Sequence, residues 1–119
     1  EDARAVVAGL GPEDGSAAIA SHVGTSVACQ ESVPAAFAVV DLAGGDPWRA
    51  AVIAANLGGD TDTIGAIAAG MAGASRGSSV LPQDRIAELR GFDISSVQAL
   101  AAALVSRRFG DIREREPAT

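Results

Sequence analysis

Apolar residues in this chain come in short blocks, each closed by glycine or opened by proline, with the lengths of helices rather than strands. Residues 1–10 (EDARAVVAGL) predict the end of a helix, stopped by Gly11-Pro12. Residues 16–23 (SAAIASHV) predict a short helix, and Gly24-Thr25-Ser26 a loop. The stretch VACQESVPAAFAVVDLA predicts a helix with Ser32 as N-cap, Pro34 in the first turn and an apolar body over Ala35–Ala43. Gly44-Gly45 ends it. Asp46-Pro47 is a restart, an acidic N-cap with proline at the first helical position, and predicts a helix from Trp48 to Leu57 closed by Gly58-Gly59. The next helix starts at Asp60 or Thr61 and runs to about Ala74, with a loop over Ser75–Val80 after it. Pro82 opens a short helix to Arg90, and Ser95-x-x-Gln98 reads as a capping box before Ala99–Phe109. No strand alternation lasts more than a few residues, and there is no repeat or low-complexity linker. One all-α, multi-helix unit over residues 1–119 is expected, with residues 110–119 as a charged, fraying tail.

Composition sharpens that picture. Hydrophobic residues make up 48% of the 119, but aromatics only 3%, with no Tyr. Alanine and glycine supply the core instead, and small side chains bury enough area only where helix backbones approach closely. The net charge of −6 and pI near 4.5 argue against a nucleic-acid surface, which needs a basic patch. All nine basic residues are Arg, a compositional bias rather than a functional signal. Cys29 stands alone, so no internal disulfide points to an oxidising compartment, and zinc-type Cys/His spacings are absent. No apolar run reaches about 18 residues, so no membrane span is expected and a cytoplasmic location is. The chain opens on Glu-Asp-Ala-Arg without an initiator Met, and is read as starting inside a longer protein.

Chemistry concentrates after the Gly58-Gly59 pair. Asp60-Thr61-Asp62-Thr63 sets two carboxylates and two hydroxyls within four residues at the start of a small, apolar segment. Acidic residues at a helix N-terminus are favoured by about 0.3–1 kcal/mol, so a doubly acidic cap is one reading. One Asp suffices for a cap, however, and two so close repel. A divalent cation relieves that repulsion, and carboxylates with a hydroxyl suit Mg²⁺, Ca²⁺ or Mn²⁺ rather than zinc or copper. Both readings stand on local physics. Ala66, Gly70 and Ala74, four apart and joined by Gly73, predict a smooth face for close helix contact and a buried central helix whose first turn faces a cleft.

Gly59-Asp60-Thr61-Asp62-Thr63, followed by the Ala/Gly-rich helix through Gly73-Ala74 to Gly77, closely resembles the C-terminal signature of the ADP-ribosylglycohydrolase family. Gly24-Thr-Ser-Val-Ala-Cys-Gln-Glu31-Ser32-Val33-Pro34 resembles that family's glycine loop followed by Glu-Ser-Val-Pro, and the spacing between the blocks fits. The resemblance covers about residues 22–82. It implies an all-α, orthogonal multi-helix bundle of which this chain is the C-terminal part. It implies a hydrolase that cleaves the glycosidic bond between ADP-ribose and a protein side chain, or a related conjugate. Two divalent cations, Mg²⁺ or Mn²⁺, are implied as cofactors that hold the distal ribose and orient a water toward its anomeric carbon. Asp60, Asp62 and Thr63 match the family's metal ligands, and Asp60 and Asp62 its catalytic residues. Gly24, Ser26 and Val27 match its nucleotide-facing loop, with Val27 near the adenine and Ser26 on the adenosine side. The family's N-terminal Thr-Asp-Asp or Ser-Asp-Asp block and glycine-rich phosphate loops are absent from these residues. The implied partners are therefore ADP-ribose or an ADP-ribosylated protein and the N-terminal half of the same enzyme, without which activity is not expected. The alternative is a non-catalytic ADP-ribose binder or a crystallin-like structural relative.

The remaining singular residues carry plainer expectations. His22 reads as structural or superficial, Cys29 as a buried small hydrophobe, Trp48 as a packing anchor and Met71 as core filler. Glu31, at a position that resembles one of the family's, reads equally as a helix-start acid or as a hydrogen-bond partner of the loop or of groups behind the metal ligands. Arg107 and Arg108 suit a helix C-terminus.

Overall fold

The computed structural model describes residues 2–109, with Phe109 described by its backbone alone; the expected tail at 110–119 lies outside the described residues. The elements are α1 (Ala3–Val6), α2 (Pro12–Ala18), α3 (Cys29–Leu42), α4 (Pro47–Ala55), α5 (Thr61–Arg76), α6 (Gln83–Glu88) and α7 (Ile94–Phe109). A single π turn over Ile19–Val23 prolongs α2, and a 3₁₀ turn covers Ser78–Val80. The described residues contain no strand, so the all-α expectation holds. The chain divides into two compact units, Glu1–Gln83 and Asp84–Thr119.

The first unit is built on alanine. α5 packs most extensively against α4 and then against α3. Ala35, Ala36, Ala38 and Val39 of α3, Ala50, Ile53 and Ala54 of α4, and Ile64 and Ala68 of α5 form one buried cluster with Ile19. Glycine allows the closest approaches. A Cβ on Gly65 of α5 would lie 3.4 Å from the Ala54 Cβ of α4, and one on Gly15 of α2 would lie 2.5 Å from Leu42 Cδ1 of α3. Arg4 Nε of α1 meets Asp41 Oδ2 of α3 at 2.5 Å, and Arg76 Nη2 donates to Gly44 O at 2.9 Å, tying the end of α5 to the α3–α4 turn.

Several boundaries depart from the sequence reading, each for a local reason. Gly11-Pro12 starts α2 rather than stopping a helix, with Gly11 as N-cap and Pro12 at the first position. α1 is only four residues long, capped by Asp2. α3 begins at Cys29, not after Ser32. Ser32 is buried inside the helix with its hydroxyl donating to Ala28 O at 3.3 Å, and Pro34 sits in the helix interior, where it cannot donate to the carbonyl of Gln30. The Asp46-Pro47 start of α4 holds, with Asp46 Oδ1 accepting from Arg49 N at 2.8 Å.

α5 buries Ile64, Ala68 and Ala72, while Ala66, Gly70 and Ala74 are exposed. The smooth face is therefore not the packed one. Helical spacing is satisfied by either row, and the larger apolar side chain, Ile64, directs its own row inward. Of the other expectations, Met71 does pack partly buried against the core. Cys29 is exposed rather than buried, and Trp48 is 38% exposed.

In the second unit, Asp93 rather than Ser95 caps α7. Its Oδ1 accepts from Ser95 N at 3.1 Å and from Ser95 Oγ at 2.7 Å, and its Oδ2 accepts from Ser96 Oγ. These bonds favour the ionised carboxyl and hold it down to about 2, against an ordinary 3.8. Because the folded value is the lower one, the cap's contribution is complete above the ordinary value and fades as pH falls through that interval toward 2. A titration followed by the Asp93 side-chain NMR shift should show a midpoint near 2, with helicity of α7 falling over the same range. An ordinary midpoint would contradict the cap. Arg107 and Arg108 fall in the last turn of α7. No described helix is long and apolar enough to cross a membrane.

Candidate functional site

The turn between α4 and α5 is set by four residues. Asn56 caps the end of α4, with its side-chain amide donating to Val52 O at 2.8 Å. Leu57 is buried and anchors the turn to the core. Gly58 and Gly59 then both take the left-handed conformation, with φ of 84° and 70°. Asp60 follows, and its backbone N–H donates to the Thr25 carbonyl at 2.7 Å. At Gly59 a side chain has no room, since a Cβ there would overlap the Thr25 carbonyl oxygen and stand 2.5 Å from Thr25 Oγ1.

Asp60 occupies the N-cap position of α5, yet its carboxyl makes no capping hydrogen bond to the helix. Asp2 and Asp46, in the same position on α1 and α4, both cap in the ordinary way. The carboxyl of Asp62, two residues on, is held below the ordinary range, first by hydrogen bonding with the Asp60 side chain and then by the N–H groups of Thr63 and Asp62. Asp62 and Thr63 are exposed, and Asp60 is half-buried. Two acidic groups thus meet at the positive end of a helix with a hydroxyl-bearing residue beside them. Among the described residues no three His, Cys, Asp or Glu side chains gather in a metal-holding cluster. The oxygen-bearing side chains of this turn are two carboxylates and two hydroxyls, those of Asp60, Asp62, Thr61 and Thr63. A six-coordinate hard cation takes its remaining oxygens from water, from substrate or from another part of the protein.

The second candidate segment lies against the first. The π turn ends where the Gly24 N–H bonds to Ile19 O at 3.0 Å, and Gly24, at φ 91°, turns the chain into the loop. Ser26 N donates to Glu31 Oε2 at 3.0 Å, and Ser26 Oγ accepts from Ala28 N at 3.3 Å just before α3. The Glu31 carboxyl is held below its ordinary range by its hydrogen bonds with Ser26. Val27 projects outward, 81% exposed, on a loop that is otherwise pinned.

The two predicted segments are therefore brought together through the backbone, at the Thr25 carbonyl. Sequence reasoning passed over Thr25 because a carbonyl contact carries no side-chain signature. Its only trace was the second glycine of Gly58-Gly59. His22 conforms to its plain reading: it is exposed, with Nδ1 2.8 Å from Ser21 Oγ and 3.1 Å from Ala18 O. Apolar grooves lie elsewhere. One joins Pro12 to Val52 and Ile53, with Trp48 at its edge, and another joins Arg4 to Val33 and Phe37; Asp60, Asp62 and Thr63 line neither.

Comparison with known proteins decides the ancestry of this turn and loop. The sequence profile of the ADP-ribosylglycohydrolase family matches residues 1–114. The chain belongs to the ADP-ribosylglycohydrolase family. It is also 43% identical over 98 residues to the uncharacterized protein YegU of Escherichia coli (strain K12). That match covers 82% of this chain and 29% of YegU, so the chain spans less than a third of its relative's length. No solved structure matches it. The ADP-ribosylglycohydrolase family is all-α, as the described residues of this member are, and generally metal-dependent.

Proposed function

We propose that this chain supplies one wall of the catalytic site of a metal-dependent hydrolase acting on the glycosidic bond between ADP-ribose and a protein side chain or related conjugate. In this reading Asp60, Asp62 and Thr63 are ligands of a dinuclear Mg²⁺ or Mn²⁺ centre, Asp60 and Asp62 serve catalysis, and Gly24, Ser26 and Val27 contact the nucleotide. The observation that carries it is the Asp60 carboxyl: it stands at an N-cap, does no capping, and has a second carboxyl, Asp62, two residues on in the same turn. A plain acidic cap gives no reason for that arrangement. A dication does, because it draws the two groups together.

When bound, such ions supply Lewis acidity and a template for substrate oxygens. The chain's own contribution is placement. Helix α5 presents both carboxyls from one rigid turn, and Leu57 and the Thr25 carbonyl fix that turn from behind. The exposed Val27 offers an apolar surface to a base, and the Gly24 turn lets the backbone come close to a sugar or phosphate.

The test is calorimetric titration of the complete gene product with Mn²⁺ and then ADP-ribose, followed by a turnover assay on ADP-ribosylated protein. Metal-dependent ADP-ribose binding with release of ADP-ribose is the expected result. Binding without release selects the non-catalytic relative, and failure to bind Mn²⁺ removes the reading.

A further inference from the structure

We propose that Glu31 is a positioning residue that clamps the Gly24–Ser26 segment and, through the Thr25 carbonyl, holds Asp60 in place for metal binding. The proposal rests on the metal-site reading above and adds to it the residue that sets the ligand's position.

The geometry forms a short relay. Glu31 lies in the first turn of α3, so its backbone is fixed by a fourteen-residue helix anchored in the core. Its Oε2 accepts the Ser26 N–H at 3.0 Å, on one side of Thr25. On the other side the carboxyl presses against Gly24, where a Cβ would stand 2.5 Å from both the Glu31 carboxyl carbon and Oε2. Thr25 is thus fixed from both flanks. Its carbonyl then receives the Asp60 N–H at 2.7 Å.

No side chain reaches Asp60 by this route, so the effect on Asp60 is purely one of position. Gly58 and Gly59 make the turn permissive, since glycine visits left-handed and right-handed backbone alike. A permissive turn needs an external partner to choose one conformation, and the Thr25 carbonyl supplies it. Groups that orient metal ligands from behind typically change metal affinity by about 10- to 100-fold when removed.

Hydrogen–deuterium exchange and Mn²⁺ titration of the complete gene product test the relay, with Glu31→Ala and Glu31→Gln as variants. Gln keeps an oxygen that can accept from Ser26 N–H, whereas Ala keeps none. Expected for Glu31→Ala is faster exchange in peptides covering residues 24–28 and 57–61, unchanged exchange in the interior of α4, and Mn²⁺ affinity weakened about 10- to 100-fold. KM should rise more than kcat falls, and Glu31→Gln should recover part of each loss. If Glu31→Ala does not fold, Glu31→Gln alone carries the test, with the same signs at smaller size.

Unchanged exchange at residues 57–61 in a folded variant overturns the relay. So does unchanged Mn²⁺ affinity when the wild type binds Mn²⁺, and that result leaves the metal-site reading intact. A wild type that binds no Mn²⁺ fails the metal-site reading itself, and the positioning role falls with it.

Discussion

Asp62→Asn in the complete gene product is expected to lower kcat/KM for release of ADP-ribose by at least about a hundredfold, with the fold unchanged. The magnitude follows from the chemistry assigned to the turn. Ligand-held cations contribute several kcal/mol of charge stabilisation in reactions of this type, and each 1.36 kcal/mol is a factor of ten in rate. Asn keeps the shape of Asp and one acceptor oxygen but removes the charge that draws a dication. Because Asp62 is exposed on the first turn of α5, its replacement disturbs no packing. Circular dichroism should therefore match the wild type while Mn²⁺ affinity and turnover fall together. Asp60→Asn should behave alike. The double variant should fall little below the weaker single one, since two ligands of one centre act as a unit. Wild-type turnover in either single variant would refute the assignment of the turn.

How much of this was legible in the sequence depends on how local each signal is. The start of α4 was readable because Asp46 and Pro47 act within one turn, and both do what their chemistry dictates. Gly58-Gly59 was readable as a break for the same reason, and both residues adopt φ values that favour glycine. The start of α3 was misread because Ser32 and Pro34 form a familiar cap-and-proline pair. The loop instead ends earlier, where Glu31 and Ser26 accept from the backbone N–H groups of Ser26 and Ala28. The cap of α7 was misread as Ser95, since Ser-x-x-Gln is a regular motif, but Asp93 two residues earlier out-competes it with three hydrogen bonds. On α5, sequence alone could not choose between the rows 64/68/72 and 66/70/74, because both consist of small or apolar residues at helical spacing. As for the site, residue types and spacing exposed the acidic turn and the glycine loop separately. The bond that unites them joins two backbone groups 35 positions apart, which no residue pattern encodes.

Gly59→Ala is the second substitution with a large expected effect, and Gly58→Ala is its control. Both glycines have left-handed backbone, with φ of 70° and 84°, where a side chain costs about 1–2 kcal/mol. They differ in what a methyl group would meet. At Gly58 there is open space within 4 Å, so the backbone cost is the whole cost. At Gly59 the methyl overlaps the Thr25 carbonyl oxygen and crowds its hydroxyl. A backbone carbonyl cannot swing aside as a side-chain tip does. Relief requires the loop and turn to separate, and overpacking of this kind adds about 1–3 kcal/mol. Gly59→Ala should thus destabilise by about 2–5 kcal/mol, a large share of a typical 5–15 kcal/mol, against about 1–2 kcal/mol for Gly58→Ala. Urea unfolding of the two variants side by side gives the difference directly. The separation should also break the Asp60 N–H bond to Thr25, so Gly59→Ala should lose Mn²⁺ affinity even at temperatures where it remains folded, while Gly58→Ala largely keeps it. Equal losses of stability in the two variants would mean that the turn and the loop do not touch as described, and the joint basis of the candidate site would go with that contact.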